Sequence, residues 1–462
     1  MSERPREPAR RRGIGRRSLL AALAAGTALG AGGAIGWNRY AHREADWETV
    51  PDGDALTVLT GRDESIGGQR AALVDLWNRL YGEDHRAELR ELPDNADLQY
   101  SGIHAALQAR DRDIDLVNLD LPWITEFVER GHLRELTDLG DDRFLEAPFQ
   151  AGVIGGAVYA LPFNTDVGLL YYNKDLVGSP DADWEDRTRF KGVLEASLAD
   201  HDRLEGGIAM QLAPYEGFTV NVWEYLISHG AEPVREDLLQ FDEDDDTSDA
   251  LDEMQQEIDE RLIWRDSLQS NEAESLDAFK EEKTAFLRHW PSAYPQLLAC
   301  DEVEFDVGIA PLPGVGVLGG QSLAVTSHGR YPVVAQALAE FLTSARSQQI
   351  LFERGGFAPT RPEPYEDANA RGSASDGSGA ASDECTDLGT FPPEGVGAVE
   401  TALERAGEAE DGPHPPGLRP AVDRYIRFSE AFHGYLHPRF SSGDDIDPAT
   451  LQRVLKAAVE GR

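Results

Sequence analysis

The chain has 462 residues, 41% hydrophobic content, and 84 Asp and Glu against 43 Lys and Arg, for a net charge of −41. That apolar fraction supports packed cores and excludes a disordered chain, while the acidity repels nucleic acid and anionic lipid and so excludes both as partners of the folded part. Only five of the basic residues are lysine, and acid at this density is the composition of a halophilic surface, where concentrated salt screens the self-repulsion.

The amino terminus runs against the rest. Residues 1–43 carry nine Arg and two Glu, and the basic head ends at Arg16-Arg17. It precedes Leu19 to Trp37, which holds no charge. A basic region before an apolar run reads as an export signal. An arginine pair directly before Ser18-Leu19-Leu20 reads as a twin-arginine signal. The run is also long enough to cross a bilayer, so an uncleaved anchor is equally open. In both cases the arginines stay inside and the rest of the chain lies outside. No cysteine follows the run to carry a lipid, and residues 44–54 read as a linker.

Beyond the linker, Leu56 to Thr60 is strand-like, and Leu73, Leu76, Trp77 and Leu80 recur on one face of a helix. Ile103 to Arg110 reads as a helix and Ile114 to Leu119 as a short buried strand. Asp120 closes that strand, at the carboxyl end where open α/β sheets bind ligands. Trp123 to Arg130 begins the next helix. Alternating helix and strand signals mean α/β layers. The segment Ala160–Leu176 then places a polar break, Asn164-Thr165-Asp166, between two apolar strand-like runs. That pattern suits a chain leaving one sheet for another, where a ligand cleft forms.

Trp184 to Asp200 and Phe218 to Ser228 read as helices, and Ile208 to Leu212 as a strand. Asp242 to Asp246 reads as a solvated acidic loop without the ligand spacing of a calcium loop. Val303, Phe305, Val307 and Ile309 alternate as a half-buried strand. Gly314, Gly316 and Gly319 fit G-x-G-x-x-G, but Pro311 and Pro313 interrupt the approach and Gln321 to Thr326 reads as a strand, so the dinucleotide fingerprint is rejected. Pro332 opens one long helix that stops at Gly355-Gly356. Ala370 to Ser382 reads as a low-complexity loop. Helices over 421–435 and 448–460 complete the chain. The eleven histidines lack metal-ligand spacing, and neither a metal nor a cofactor is expected. Cys300 and Cys385 permit one disulfide in an exported protein, and sequence leaves it open.

The crossover segment, with Tyr215-Glu216-Gly217, Trp290-Pro291, Pro311-Leu312-Pro313-Gly314, Gly319-Gly320, Pro359-Thr360-Arg361 and Leu418-Arg419-Pro420 in that order, resembles the extracellular solute-binding proteins of ABC sugar importers. The resemblance is to the maltose/trehalose type, here in a haloarchaeal-like form, and covers residues 55–436. It implies a two-lobe periplasmic-binding-protein fold of type II, each lobe a mostly parallel sheet flanked by helices, joined by hinge crossovers. One lobe would hold residues 55–163 and 320–356, the other 164–319 and 357–462. It also implies a non-enzymatic, monomeric protein outside the cell that hands a sugar to the transmembrane subunits of a permease. A sugar-active hydrolase and a signalling receptor without transport stay open beside it.

The resemblance nominates Asp120, Asn164, Asp166, Tyr215, Glu216, Trp290, Gly319, Gly320, Gln321 and Arg419 as ligand-binding. Trp290 would be the stacking platform, and the two glycines would let the backbone approach the ligand. Asp63 and Glu64 are further candidates. Three positions depart from the family's aromatic habit, Asn164, Ser292 and Gln321, which implies a sugar smaller or more polar than maltose or trehalose. Glycerol phosphate is disfavoured, since the sequence shows no basic cluster.

Overall fold

A computed structural model describes residues 47–461, except 64, 66, 94, 141–142, 236–237, 242–244, 300–301, 375–390, 392, 408–416, 421 and 423. The signal or anchor over residues 1–43, Glu64 and both cysteines therefore lie outside the described residues. Among the described residues, no helix is long and apolar enough to cross a membrane.

The first sheet is built from β1 (Leu56–Gly61), β2 (Ala87–Leu92) and β3 (Leu116–Asp120), with α1 (Gln69–Tyr81) and α2 (Ala96–Gln108) between them and α3 (Ile124–Glu129) following. Two strands from later in the chain complete it, β4 (Ala160–Val167) and β9 (Leu318–Val325), in the order β2-β1-β3-β9-β4. The second sheet uses β5 (Leu169–Asn173), β6 (Gly206–Ala209), β7 (Thr284–His289) and β8 (Val307–Pro311), in the order β8-β5-β7-β6. Its helices include α4 (Arg187–Asp200), α5 (Glu216–Ser228), α6 (Asp245–Asp259) and α7 (Glu272–Lys280). After β9 come α8 (Pro332–Leu342), α9 (Ala345–Gly355), α10 (Glu363–Ala374), α11 (Pro393–Gly407), α12 (Tyr425–Ser442) and α13 (Pro448–Glu460).

The sheets are mixed rather than mostly parallel. β1 pairs β2 and β3 in parallel, whereas β9 pairs both β3 and β4 antiparallel. In the second sheet β7/β6 is parallel, and β5 pairs both its neighbours antiparallel. The chain passes from β4 to β5 across Gly168 alone and comes back through residues 312–317. Sheet membership changes at those two places. The sequence-derived limits at 163/164 and 319/320 fall inside β4 and β9, which pair within the first sheet.

Packing follows the helical stripes. In α1 the buried apolar residues are Leu73, Val74 and Trp77, with Leu76 and Leu80 half-buried at the edge of the stripe. They meet Val334, Leu338 and Phe341 of α8 on one face of the first sheet. The other face takes Ile103 and Leu107 of α2 and Ile124 and Phe127 of α3. In the second sheet Phe286 packs edge-on against Phe190 of α4 and Trp184, and Phe279 and Leu287 join the α11 residues Val396 and Val399.

Several sequence-derived elements come out differently: the strand read over 303–309 begins only at Val307, and Trp47 and Val50 of the expected linker pack into the core of the first sheet. The helix opened by Pro332 is two helices. The Thr343 hydroxyl donates to the Ala339 carbonyl at 2.9 Å, and extended Ser344 caps α9 by accepting from the Ser347 N–H. A serine that offers a cap lets the chain turn at little cost. Asp245 and Asp246 begin a helix rather than continuing an acidic loop, and α10 carries helix through Ala374 into the low-complexity stretch.

Candidate functional site

Strand register brings the first wall together. In the first sheet Asp120, Gln321 and Asn164 stand in one row across β3, β9 and β4, and Gly319 stands opposite Asp166 one step along. The row lies at the carboxyl end of β3, where the chain turns into a short helical turn, Leu121–Trp123, capped by the Asp120 carboxylate on the Leu121 N–H at 2.8 Å. The second wall comes from the start of α5 (Tyr215, Glu216), the start of α7 (Glu272) and the end of β7 (Trp290). Arg419, between α11 and α12, closes the space.

The cleft between these walls, open to solvent, holds about 190 Å³, below the roughly 300–1,000 Å³ of drug-sized pockets. Asp120, Asp166, Tyr215, Glu216, Trp290, Gly319, Gly320, Gln321 and Arg419 all line it. Asn164 does not. It is buried and donates to Asp166 at 2.9 Å from two residues earlier on the same strand face. Of the three non-aromatic departures, Ser292 and Gln321 therefore face the cavity and Asn164 supports it from behind. Asp63 is also off the wall. Its carboxylate accepts from the Ser65 N–H and hydroxyl and from the Arg70 N–H, which fixes the entry to α1.

The glycines answer to protein neighbours. Gly320 has φ +119°, and a Cβ there would run into the Asn164 carbonyl. A Cβ on Gly319 would lie 3.4 Å from both Asp166 and the Trp290 ring. Gly320 must lack a side chain to seat β9 against β4, whereas a Cβ on Gly319 would meet Asp166 and Trp290 at ordinary contact distance.

Three carboxylates of the wall are already engaged. Asp120 receives two hydrogen bonds from Arg419, at 2.9 and 3.0 Å. Glu216 accepts from Arg419 at 2.7 Å, the Tyr425 hydroxyl at 2.5 Å and the Ser429 hydroxyl at 2.6 Å. Glu272 accepts from the Tyr215 hydroxyl at 2.7 Å and the Trp290 indole at 3.4 Å. Asp166 holds only the neutral Asn164 amide among the described residues, which leaves acceptor positions on a cavity-facing carboxylate.

Arg70 and Glu272 line the cavity too, and sequence reasoning missed both. Arg70 had a signal. It stands at i−3, i−4 and i−7 from Leu73, Val74 and Trp77, a cation inside an apolar stripe, and its guanidinium lies over Phe357 and donates to Gln321 at 2.7 Å. Glu272 had none, since a glutamate in a first helical turn is ordinary. The fold also assembles a basic set that the sequence hides, Arg62, Arg70 and Arg419. Four carboxylates outnumber them, and Arg419 is taken by two of the four.

Residues 93–349 match the family model described as bacterial extracellular solute-binding protein. The chain belongs to that family. A probable ABC transporter-binding protein of Deinococcus radiodurans is 25% identical to this solute-binding protein over 328 residues, 67% of this chain and 76% of that one. Among solved structures, maltose-bound MalE3 of T. maritima superposes with a TM-score of 0.72 at 23% identity, over 88% of this chain and 100% of that one. A solute-binding protein of an ABC transporter from Agrobacterium vitis, with bound D-mannitol, gives 0.67 at 16% identity over 88% and 97%. These likenesses establish the two-lobe periplasmic-binding-protein fold.

Electrostatics of the solute-binding protein's cleft follow from burial. Asp166 is pushed up to about 7, chiefly by desolvation and further by Asp120, although Arg70 and Arg288 pull it down. Desolvation also raises Glu216 against the pull of Arg419, and raises Tyr215 well above the usual phenol range with help from Glu272. A carboxyl raised on folding contributes stability that is complete below its unfolded value near 4 and lost as pH rises through about 7. Asp166→Asn should therefore stabilise the free protein at pH 8, by about 1–4 kcal/mol, and leave it unchanged near pH 4. Denaturant midpoints of the two proteins at both pH values check this; an equal difference at pH 4 and 8 would contradict it.

Proposed function

We propose that the protein captures a sugar or sugar alcohol in this cavity and presents it to the transmembrane subunits of an ABC importer. The observation that carries the reading is the wall itself. An indole ring, Trp290, stands beside an under-engaged carboxylate, Asp166, and further hydrogen-bonding groups converge from both sheets. An aromatic face suits the C–H side of a pyranose, and carboxylates and amides suit its hydroxyls. The small volume and the polar Ser292 and Gln321 favour a ligand smaller or more polar than maltose. The acidic excess of the wall disfavours a phosphate. The bound maltose and D-mannitol of the two structural relatives fit the same chemical class. We place Asp120, Asp166, Tyr215, Glu216, Trp290, Gln321 and Arg419 in the ligand site, with Arg70 and Glu272 added and Asn164 as support.

The lobes meet at Gly168 and at residues 312–317, and closure about these crossovers traps the ligand. The charge of −41 is that of a halophilic surface, and Arg16-Arg17 directs export by the twin-arginine route, leaving the domain outside as a monomer, free or anchored. Replacing both arginines with lysine should abolish surface accumulation of the full chain; an unchanged level excludes that route.

The deciding experiment is a thermal-shift screen of monosaccharides, disaccharides and sugar alcohols in molar KCl and in dilute buffer. A ligand that binds only the native state raises the midpoint, and salt should raise it with or without ligand. Flat midpoints with every saccharide would end the sugar reading, and equal midpoints in both buffers would end the halophilic one.

A further inference from the structure

Behind Trp290 lies a buried ion pair that the ligand site does not use. Arg288, two residues earlier, points its guanidinium at the ring, 3.9 Å from the centroid. Its Nε and Nη2 donate to the two oxygens of Glu224 at 2.7 and 2.6 Å, and its Nη1 donates to Gln211 at 3.1 Å. Both side chains are almost completely buried, at 1% and 4% exposure. An apolar pair of the same volume would hold a core as well or better, so the charges point to a directional task.

The direction is toward the crossovers. Glu224 Oε1 also accepts from the backbone N–H of Val317 at 2.9 Å, the last residue of the returning crossover before β9. The same oxygen lies so close to Gly168 that a Cβ there would collide with it. Gly168 is the single residue between β4 and β5. One carboxylate therefore touches both links between the lobes, and its partner guanidinium carries the platform ring. Glu224 lies eight residues along α5 from Glu216, about 12 Å at the helical rise, so the same helix reaches both the cavity and the hinge.

We propose that Glu224 and Arg288 are positioning residues that couple the lobe angle to Trp290: the pair holds both crossovers in one arrangement and sets the ring against the cavity, so hinge and platform move together. Nothing in this depends on the ligand being a sugar.

The test needs no ligand. Spin labels at Leu98→Cys and Leu298→Cys, exposed positions on the two lobes, in a chain with Cys300 and Cys385 changed to Ser, report the inter-lobe distance. Incorporation of 5-fluorotryptophan, with the Trp290 resonance assigned by Trp290→Phe, reports the ring. Glu224→Gln keeps the shape of the pair and removes its charge. Gly168→Ala keeps every charge and displaces the carboxylate. Both variants should move the lobe-distance distribution beyond the wild-type peak width and shift the Trp290 fluorine resonance, with the other tryptophan signals in place. Should Glu224→Gln not fold, Gly168→Ala carries the test alone. A folded variant whose thermal midpoint drops while both readouts stay at wild type makes the pair a structural ion pair only. Movement of one readout without the other breaks the coupling. Each of these results overturns the proposal.

Discussion

Arg419→Met is expected to cost the free protein about 3–5 kcal/mol at pH 8, the range for breaking a buried ion pair from one side. The side chain is 5% exposed and holds Asp120 with two hydrogen bonds and Glu216 with one. Without it, two carboxylates stand unpaired on a wall that already contains Asp166, and Glu216 already titrates above its usual range through burial. Loss of the guanidinium raises Glu216 further, so more of the deficit appears as pH climbs and less as it falls. The deficit measured by denaturant unfolding in molar salt should therefore be large at pH 8 and much smaller at pH 5. Arg419→Lys should fall between, since an ammonium keeps the charge and loses the bidentate fit to Asp120. Wild-type stability of Arg419→Met at pH 8 would mean that the clasp across the cleft contributes nothing.

Trp290→Ala is expected to weaken binding of the saccharide found by the screen about 30- to 800-fold. Aromatic contacts contribute about 0.5–1.5 kcal/mol beyond area, and the lost apolar area adds roughly 25 cal/mol per Å², together about 2–4 kcal/mol. The ring is braced by Arg288 on one side and hydrogen-bonded to Glu272, so little ordering is left to be done on binding. Trp290→Phe should recover part of the loss, because a smaller ring keeps a face and drops the indole donor. Calorimetric titration of the folded variants reads both. Affinity equal to wild type in Trp290→Ala would move the platform elsewhere, and Tyr215 is the next ring on the wall.

Much of the site was legible because it sits where the chain changes sheets. The polar break at Asn164-Thr165-Asp166 followed by Gly168 lies between two apolar runs, and those runs are β4 and β5 of different sheets. Asp120 was legible as the charged end of a buried strand. Asn164 shares the face of Asp166, and alternation cannot tell which of two polar residues on one face meets the cavity and which lies beneath. Gly319 and Gly320 both line the cavity, and at Gly320 the β4 backbone also leaves no room for a Cβ. Arg70 and Glu272 reach the wall only through tertiary placement. The break between α8 and α9 was hidden because the apolar pattern runs on across Thr343 and Ser344, whose hydroxyls end one helix and begin the next.

The position of β9 has a consequence for biosynthesis. It is the second strand from one edge of the first sheet, yet it is made after the whole of the second sheet. Until it inserts, β3 pairs with β1 alone and β4 has no partner in that sheet. A nascent chain that has reached Pro311 thus carries two bare strand edges, the kind that recruit other strands. Vectorial completion of the first lobe waits on about 150 intervening residues, and such non-local closure is slow. For a member of an extracellular family, completing the first sheet before the chain leaves the cell would keep these edges covered.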